Sequence, residues 1–163
     1  MLTTTGQRRR TDTLSMDRLY NVFDSPWNSM IEVLGNSDTL KQFHNRGVVI
    51  HTVYRQVRAQ INAHEMTLDV LLENEEKIVI LAARTDLQTN DVTDFLETLD
   101  RFPTFFPRYH DYKIYGGVAG LMFAEDADKY AYRKGLFVLS ATGDGVAQIK
   151  NDVAFRPKNF AHD

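Results

Sequence analysis

Hydrophobic positions recur along this chain with two different periods, and the change between them divides it. After Ser25-Pro26, an N-cap residue with proline at the first helical position, Trp27, Met30, Ile31 and Leu34 fall at helical spacing until Gly35-Asn36. A weaker helical run precedes it at Met16, Leu19, Tyr20 and Phe23, and another opens at Ser37-Asp38 and passes through Leu40 and Phe43 to Gly47. From Val48 the period falls to two. Val49, His51, Val53, Arg55 and Val57 alternate with Ile50, Thr52 and Tyr54, which predicts a strand. Turns at Asn62-Ala63 and Asn74-Glu75-Glu76 separate this run from Met66, Leu68, Val70 and Leu72, and then from Lys77 to Arg84. Three strands so closely linked predict an antiparallel meander.

The helical period then returns. Val92, Phe95, Leu96, Leu99 and Phe102 define an amphipathic helix that Pro103 is expected to end, with Asp91, Asp94, Glu97 and Asp100 on its opposite, solvated face. Lys113 to Phe123 reads as a fourth strand, Glu125 to Lys134 as a helix closed by Gly135, and Leu136 to Ser140 as a fifth strand. A hairpin turn at Gly143-Asp144-Gly145 leads into a short edge strand, Val146 to Lys150. A crossover helix between the third and fourth strands requires a mixed sheet with helices packed on it, so the class is α/β. The expected order is helix, three strands, helix, strand, helix, strand, in one domain over residues 15–150. Residues 1–14, with Arg8-Arg9-Arg10, read as a flexible basic arm and residues 151–163 as a polar tail.

Composition narrows the picture. Of 163 residues 43% are hydrophobic and 25% charged, enough for one core, and the net charge of -3 gives no global attraction to nucleic acid. The chain has no cysteine, so disulfides and thiolate metal sites are excluded and a reducing cytoplasm is the expected compartment. The start carries no apolar segment behind its basic run, and the longest apolar stretch, Ile114 to Ala124, is too short to span a bilayer. The five histidines have no close paired spacing, so metal chemistry would fall to carboxylates. Gly116-Gly117-x-x-Gly120 lies inside a strand instead of between strand and helix, which predicts close packing and not a dinucleotide fingerprint.

The candidate chemistry centres on Asp69. Positions 82 and 84 share one face of a strand, and a carboxylate on the neighbouring strand reaches the same point in space. Carboxylate-x-lysine in that place, opposite an acidic residue, holds a magnesium ion and orients a water. Here Ala82 stands at the carboxylate position and Arg84 at the lysine position, and an arginine stays protonated and cannot act as general base. Asp69 is therefore read either as a metal ligand or as the partner of Arg84 or Arg55 in a cross-strand ion pair. Glu65 is too far along its strand to share an ion with Asp69, and Asp94 and Glu97 lie opposite the apolar stripe of their helix.

Residues 16–150 resemble a bacterial family of uncharacterised PD-(D/E)XK nuclease-like proteins, the DUF3782 type. The segments that carry the resemblance are Phe43 to Val48, the strand holding Asp69, Phe105-Phe106-Pro107, Lys113 to Gly120 and Ala127 to Val138. The resemblance implies a core of helix, three strands, helix and strand, with a metal held by the Asp and Glu of the motif and often by a glutamate of the first helix, where Glu32 falls. With Ala82 and Arg84 in the motif, the expected function is a non-catalytic nuclease-like domain used for protein interaction or assembly. The alternatives are a nucleic-acid-binding module using Arg55, Arg58, Arg84, Arg133 and Lys134, and a magnesium nuclease with an atypical site. No cofactor is expected, with Mg²⁺ needed only if the site were active, and no membrane.

Overall fold

A computed structural model describes residues 25–142 and 145–162. The basic arm, the helical run at 16–23 and the centre of the Gly143-Asp144-Gly145 turn lie outside the described residues. Helix α1 spans Pro26–Leu34, with Ser25 Oγ accepting the Asn28 amide at 3.2 Å, and α2 spans Ser37–Asn45 behind an Asn36 cap. Three strands follow, β1 (Thr52–Ile61), β2 (His64–Glu73) and β3 (Lys77–Leu87), then α3 (Thr89–Phe105), a short 3-10 turn at Pro107–Tyr109, and β4 (Lys113–Phe123). Helix α4 (Ala127–Arg133), β5 (Phe137–Ala141) and β6 (Ala147–Ile149) complete the order.

The strands form one six-stranded sheet in sequential order. Pairs β1/β2, β2/β3 and β5/β6 are antiparallel, and β3/β4 and β4/β5 are parallel, because α3 and α4 carry the chain back across the sheet. This is the α/β arrangement of a mixed sheet with flanking helices expected from the sequence. Helices α1 and α2 cover one face, where Met30, Leu34 and Phe43 meet Val70, Leu72 and Val79. The other face packs Leu99 and Phe102 of α3 and Ala131 of α4 on Leu68, Ile80 and Val118. Side chains as fully buried as Leu99 and Phe102 contribute about 1.5–3 kcal/mol each to holding the helix down.

One departure from regular alternation positions the candidate site. Val70 and Leu72 of β2 face α1, yet Leu68 and Met66 of the same strand face α3. In β1, Val53 and Val57 divide between the two faces in the same way. Side chains two apart normally share a face, so the hairpin turns over between these pairs. The reversal sits where Gln56, with a left-handed φ of 54°, lies opposite Asp69. Beyond it β2 parts from β3 while staying paired with β1: its pairing with β3 runs only from Glu73↔Ile78 to Val70↔Leu81, and β3 continues against β4 alone to Leu87.

Several expectations are corrected. Pro103 does not end α3, which continues to Phe105, because a proline in the last turn removes only one hydrogen bond from a helix about to finish. The first strand begins at Thr52 and not Val48; Val48 is buried, but its amide bonds back to Phe43 after the turn at Gly47. The fourth helix is shorter than expected at both ends. Residues 151–162, polar in composition, pack along the domain: Phe155 is buried, the Lys158 amide bonds to Gly135 and the Phe160 amide to Ile114. The glycines of β4 serve close packing as expected, since a Cβ on Gly116 would fall 2.7 Å from Leu99 and one on Gly117 2.7 Å from Leu81.

At the end of the sheet away from Asp69, the Tyr109 hydroxyl donates to Glu73 Oε1 at 2.7 Å, and Arg108 reaches both oxygens of that carboxylate at 3.1 Å. Burial, reinforced by the hydrogen bond to Glu73, pushes the Tyr109 hydroxyl above its ordinary value of 10. A folded value raised above the unfolded one favours the protonated ring in the native state. The stability it contributes is fully present below pH 10 and is lost as pH rises through the folded value. Tyr109→Phe is predicted to cost about 1–2 kcal/mol at pH 7. In urea unfolding above pH 10, that gap between wild type and variant narrows; a gap independent of pH would contradict it.

Candidate functional site

The parting of β2 from β3 leaves a buried backbone group to be satisfied. Continuing the register Val70↔Leu81 would set Leu68 opposite Ala83, but β2 has turned away by then. The Ala83 amide therefore donates to Asp69 Oδ2, at 2.8 Å. Its carbonyl accepts from the Trp27 indole Nε1 of α1 at 3.0 Å and from the Arg84 guanidinium at 2.8 Å. Three side chains thus replace one rung of the ladder. Ala83 is fully buried, so these bonds offset a desolvation cost that an unpaired amide and carbonyl would each impose.

Arg84 lies across the mouth of the resulting cleft. One terminal nitrogen is 3.3 Å from Asp69 Oδ2, and Nε is 3.6 Å from Asp91 Oδ1. Asp91 is itself fixed, because its other oxygen accepts the Gln88 amide at 2.8 Å at the start of α3. The cleft has a volume of about 90 Å³ and is lined by Asp69, Ala82, Arg84, Asp94, Phe95 and Thr98 among others. The acidic face of α3 is therefore not wholly a solvent face: Asp94 borders the cleft and Asp91 pairs with Arg84, while Asp100 faces out to His162 at 3.5 Å. Two carboxylates, Asp69 and Asp91, converge on one guanidinium, whose positive charge favours their ionised forms.

The residues present do not fit a magnesium ion. Such an ion needs near-octahedral oxygen ligands at about 2.0–2.1 Å. Asp69 Oδ2 is committed to Ala83 and Arg84, Asp91 Oδ2 to Gln88, and Ala82 has no donor atom. Among the described residues no three His, Asp or Glu side chains gather closely enough to hold a metal.

The other candidates are dispersed. Glu32, 76% exposed at the side chain, pairs with Arg55 at 3.4 Å on the α1 side of the sheet and does not line the cleft. Arg55 also donates to the carbonyls of Ile31 and Glu32 at the end of α1, so it caps that helix and is not the partner of Asp69. Arg58 pairs with Glu65 at 2.7 Å, and Lys134 lies over the Tyr130 ring, 5.6 Å from its centroid. Arg133 is exposed on α4. Two contributors were missed from the sequence. The spacing Gln88 to Asp91 at a helix start was a legible capping signal, whereas nothing local pointed Trp27 at Ala83.

The fold and site define an α/β domain with a mixed six-stranded sheet, whose cleft carries Asp69 and Arg84 with Ala82 beside them. No protein-family model matches the chain, and no curated protein matches its sequence, so the DUF3782-type resemblance has no support from either comparison. Among solved structures, the chain is similar to a repair endonuclease from Pyrococcus abyssi, with 15% identity, 86% of this chain and 50% of that one covered, and a TM-score of 0.43. It is similar also to EndoMS in apo form, with 12% identity over 73% and 47% of the two chains and a TM-score of 0.45. A third likeness is to a protein of unknown function, AF1548, at 14% identity, 68% and 57% coverage and a TM-score of 0.42. The chain spans about half the length of these structures, and the likeness is one of chain trace.

The unequal weight of the contacts around Ala83 gives a direct expectation. Asp69→Ala should lower unfolding free energy by about 1–3 kcal/mol, the range for a buried donor left without a charged acceptor. Arg84→Ala, half-exposed, should cost under about 1 kcal/mol. Equal losses in urea unfolding would shift the weight from the amide bond to the ion pair.

Proposed function

We propose that this chain is a non-catalytic nuclease-like domain used for protein interaction or assembly. The observation that carries the reading is the Arg84 guanidinium held between Asp69 and Asp91, where a metal-dependent site would hold its cation. Arginine at that place stabilises the carboxylates without being able to polarise a water or accept a proton. Use of the cleft as a nucleic-acid-binding surface has less in its favour. Arg55, Arg58 and Arg84 each pair with a carboxylate of the same chain, leaving among the described residues no row of free cations along the cleft for a phosphate backbone. A chain without cysteine suits a reducing compartment, and the cytoplasm is the location we assign.

Calorimetric titration tests the reading. Wild type is expected to take up no Mn²⁺ at the cleft, to leave duplex DNA uncut, and to show no DNA affinity that falls steeply with salt. The double variant Ala82→Glu, Arg84→Lys restores a carboxylate and a lysine and should acquire Mn²⁺ binding. Manganese-dependent cleavage by wild type that disappears in Asp69→Asn would overturn the proposal.

A further inference from the structure

We propose that the cavity between α4 and the end of β6 is a binding site for a small phosphate-bearing ligand. It lies away from the Asp69 cleft, has a volume of about 330 Å³, and is bordered by Lys129, Tyr132, Arg133, Val138, Lys150 and Asn151. That volume falls at the lower end of the range for small-molecule sites. With Asp128 also at its edge, three cations face one carboxylate, a local charge of +2 on a chain whose net charge is -3. The Asp128 carboxylate is turned to the Lys129 amide, 2.9 Å away.

Two of the cations are uncommitted. Among the described residues neither the Arg133 nor the Lys150 side chain has a hydrogen-bond or ion-pair partner. That sets them apart from the other basic candidates, which are tied to carboxylates, carbonyls or rings of the same chain. Lys129 is drawn partly aside to Asp126 at 3.7 Å, and Lys134 lies over Tyr130 and does not border the cavity.

The walls are preorganised. Asn151, 4% exposed, accepts the Val138 amide at 2.7 Å and donates to the Leu136 carbonyl at 3.1 Å, and the Lys150 amide bonds to the Val138 carbonyl at 2.7 Å. Tyr132 is held by its hydroxyl on Asp152 at 2.9 Å and by the Phe155 ring, 5.0 Å between centroids. A ligand therefore meets fixed backbone and a fixed aromatic ring, and only the Arg133 and Lys150 side chains need to order, which lowers the entropic cost of binding. An arginine fork and a lysine point charge together suit a phosphate, the one bidentate and the other compact. Two free cations over a small cavity suit one phosphate group better than a strand of them, which would need a continuing basic track.

Inorganic pyrophosphate titrated into the ¹⁵N-labelled protein tests the assignment. Saturable amide shifts centred on Tyr132, Val138 and Lys150 are expected, with Arg133→Ala and Lys150→Ala each weakening binding about tenfold. Lys134→Ala, outside the cavity, should leave the affinity unchanged. No saturable shift, or an affinity indifferent to both cavity substitutions, would overturn the proposal. So would tighter binding of duplex DNA with shifts spread beyond the cavity, which would make this a polyanion surface.

Discussion

The amide and carbonyl of Ala83 are the constraint on which the site depends. Both point into the space that β2 vacates, and both are buried. A strand cannot part from its neighbour at such a place unless something else takes the freed hydrogen bonds. Asp69 takes the amide, and Trp27 and Arg84 take the carbonyl, so that α1, β2 and β3 are joined at a single residue. The reversal of β1 and β2 at Gln56 and Asp69 is the other side of the same arrangement, because it lets the outer hairpin face α3 while the inner one faces α1.

This gives Asp69 a structural reason to exist that is independent of catalysis. Accepting the Ala83 amide requires nothing of the residue at position 82. Arg84 then does two things with one group: it braces the Ala83 carbonyl and neutralises Asp69 and Asp91. On the proposed reading the cleft serves no hydrolysis, because position 82 supplies no oxygen ligand and Arg84 no base.

Much of this was legible in the sequence. The Ser25-Pro26 helix start, the three-strand meander and the crossover after Leu87 follow from local periodicity and capping, and the mixed α/β sheet follows from their order. The alternation that put position 84 beside Asp69 also held, since neighbouring strands bring such residues together whatever lies beyond them. What failed to show was set by packing between distant elements. Trp27 reads as one more apolar position on α1, and its indole hydrogen bond exists only because α1 crosses β3. Asp91 and Asp94 read as a solvent stripe because the apolar face of α3 was known and the line along which the helix crosses the sheet was not. Pro103 read as a stop because the rule for helix interiors was applied in a last turn, where the missing amide matters little.

The most direct measurement is a crystal of the wild-type protein soaked in manganese chloride, with anomalous difference density calculated around Asp69. The account predicts the Arg84 guanidinium lying between Asp69 and Asp91 and no anomalous peak at ligand distance from either carboxylate. A manganese peak bound to Asp69, with Arg84 displaced into solvent, would contradict it.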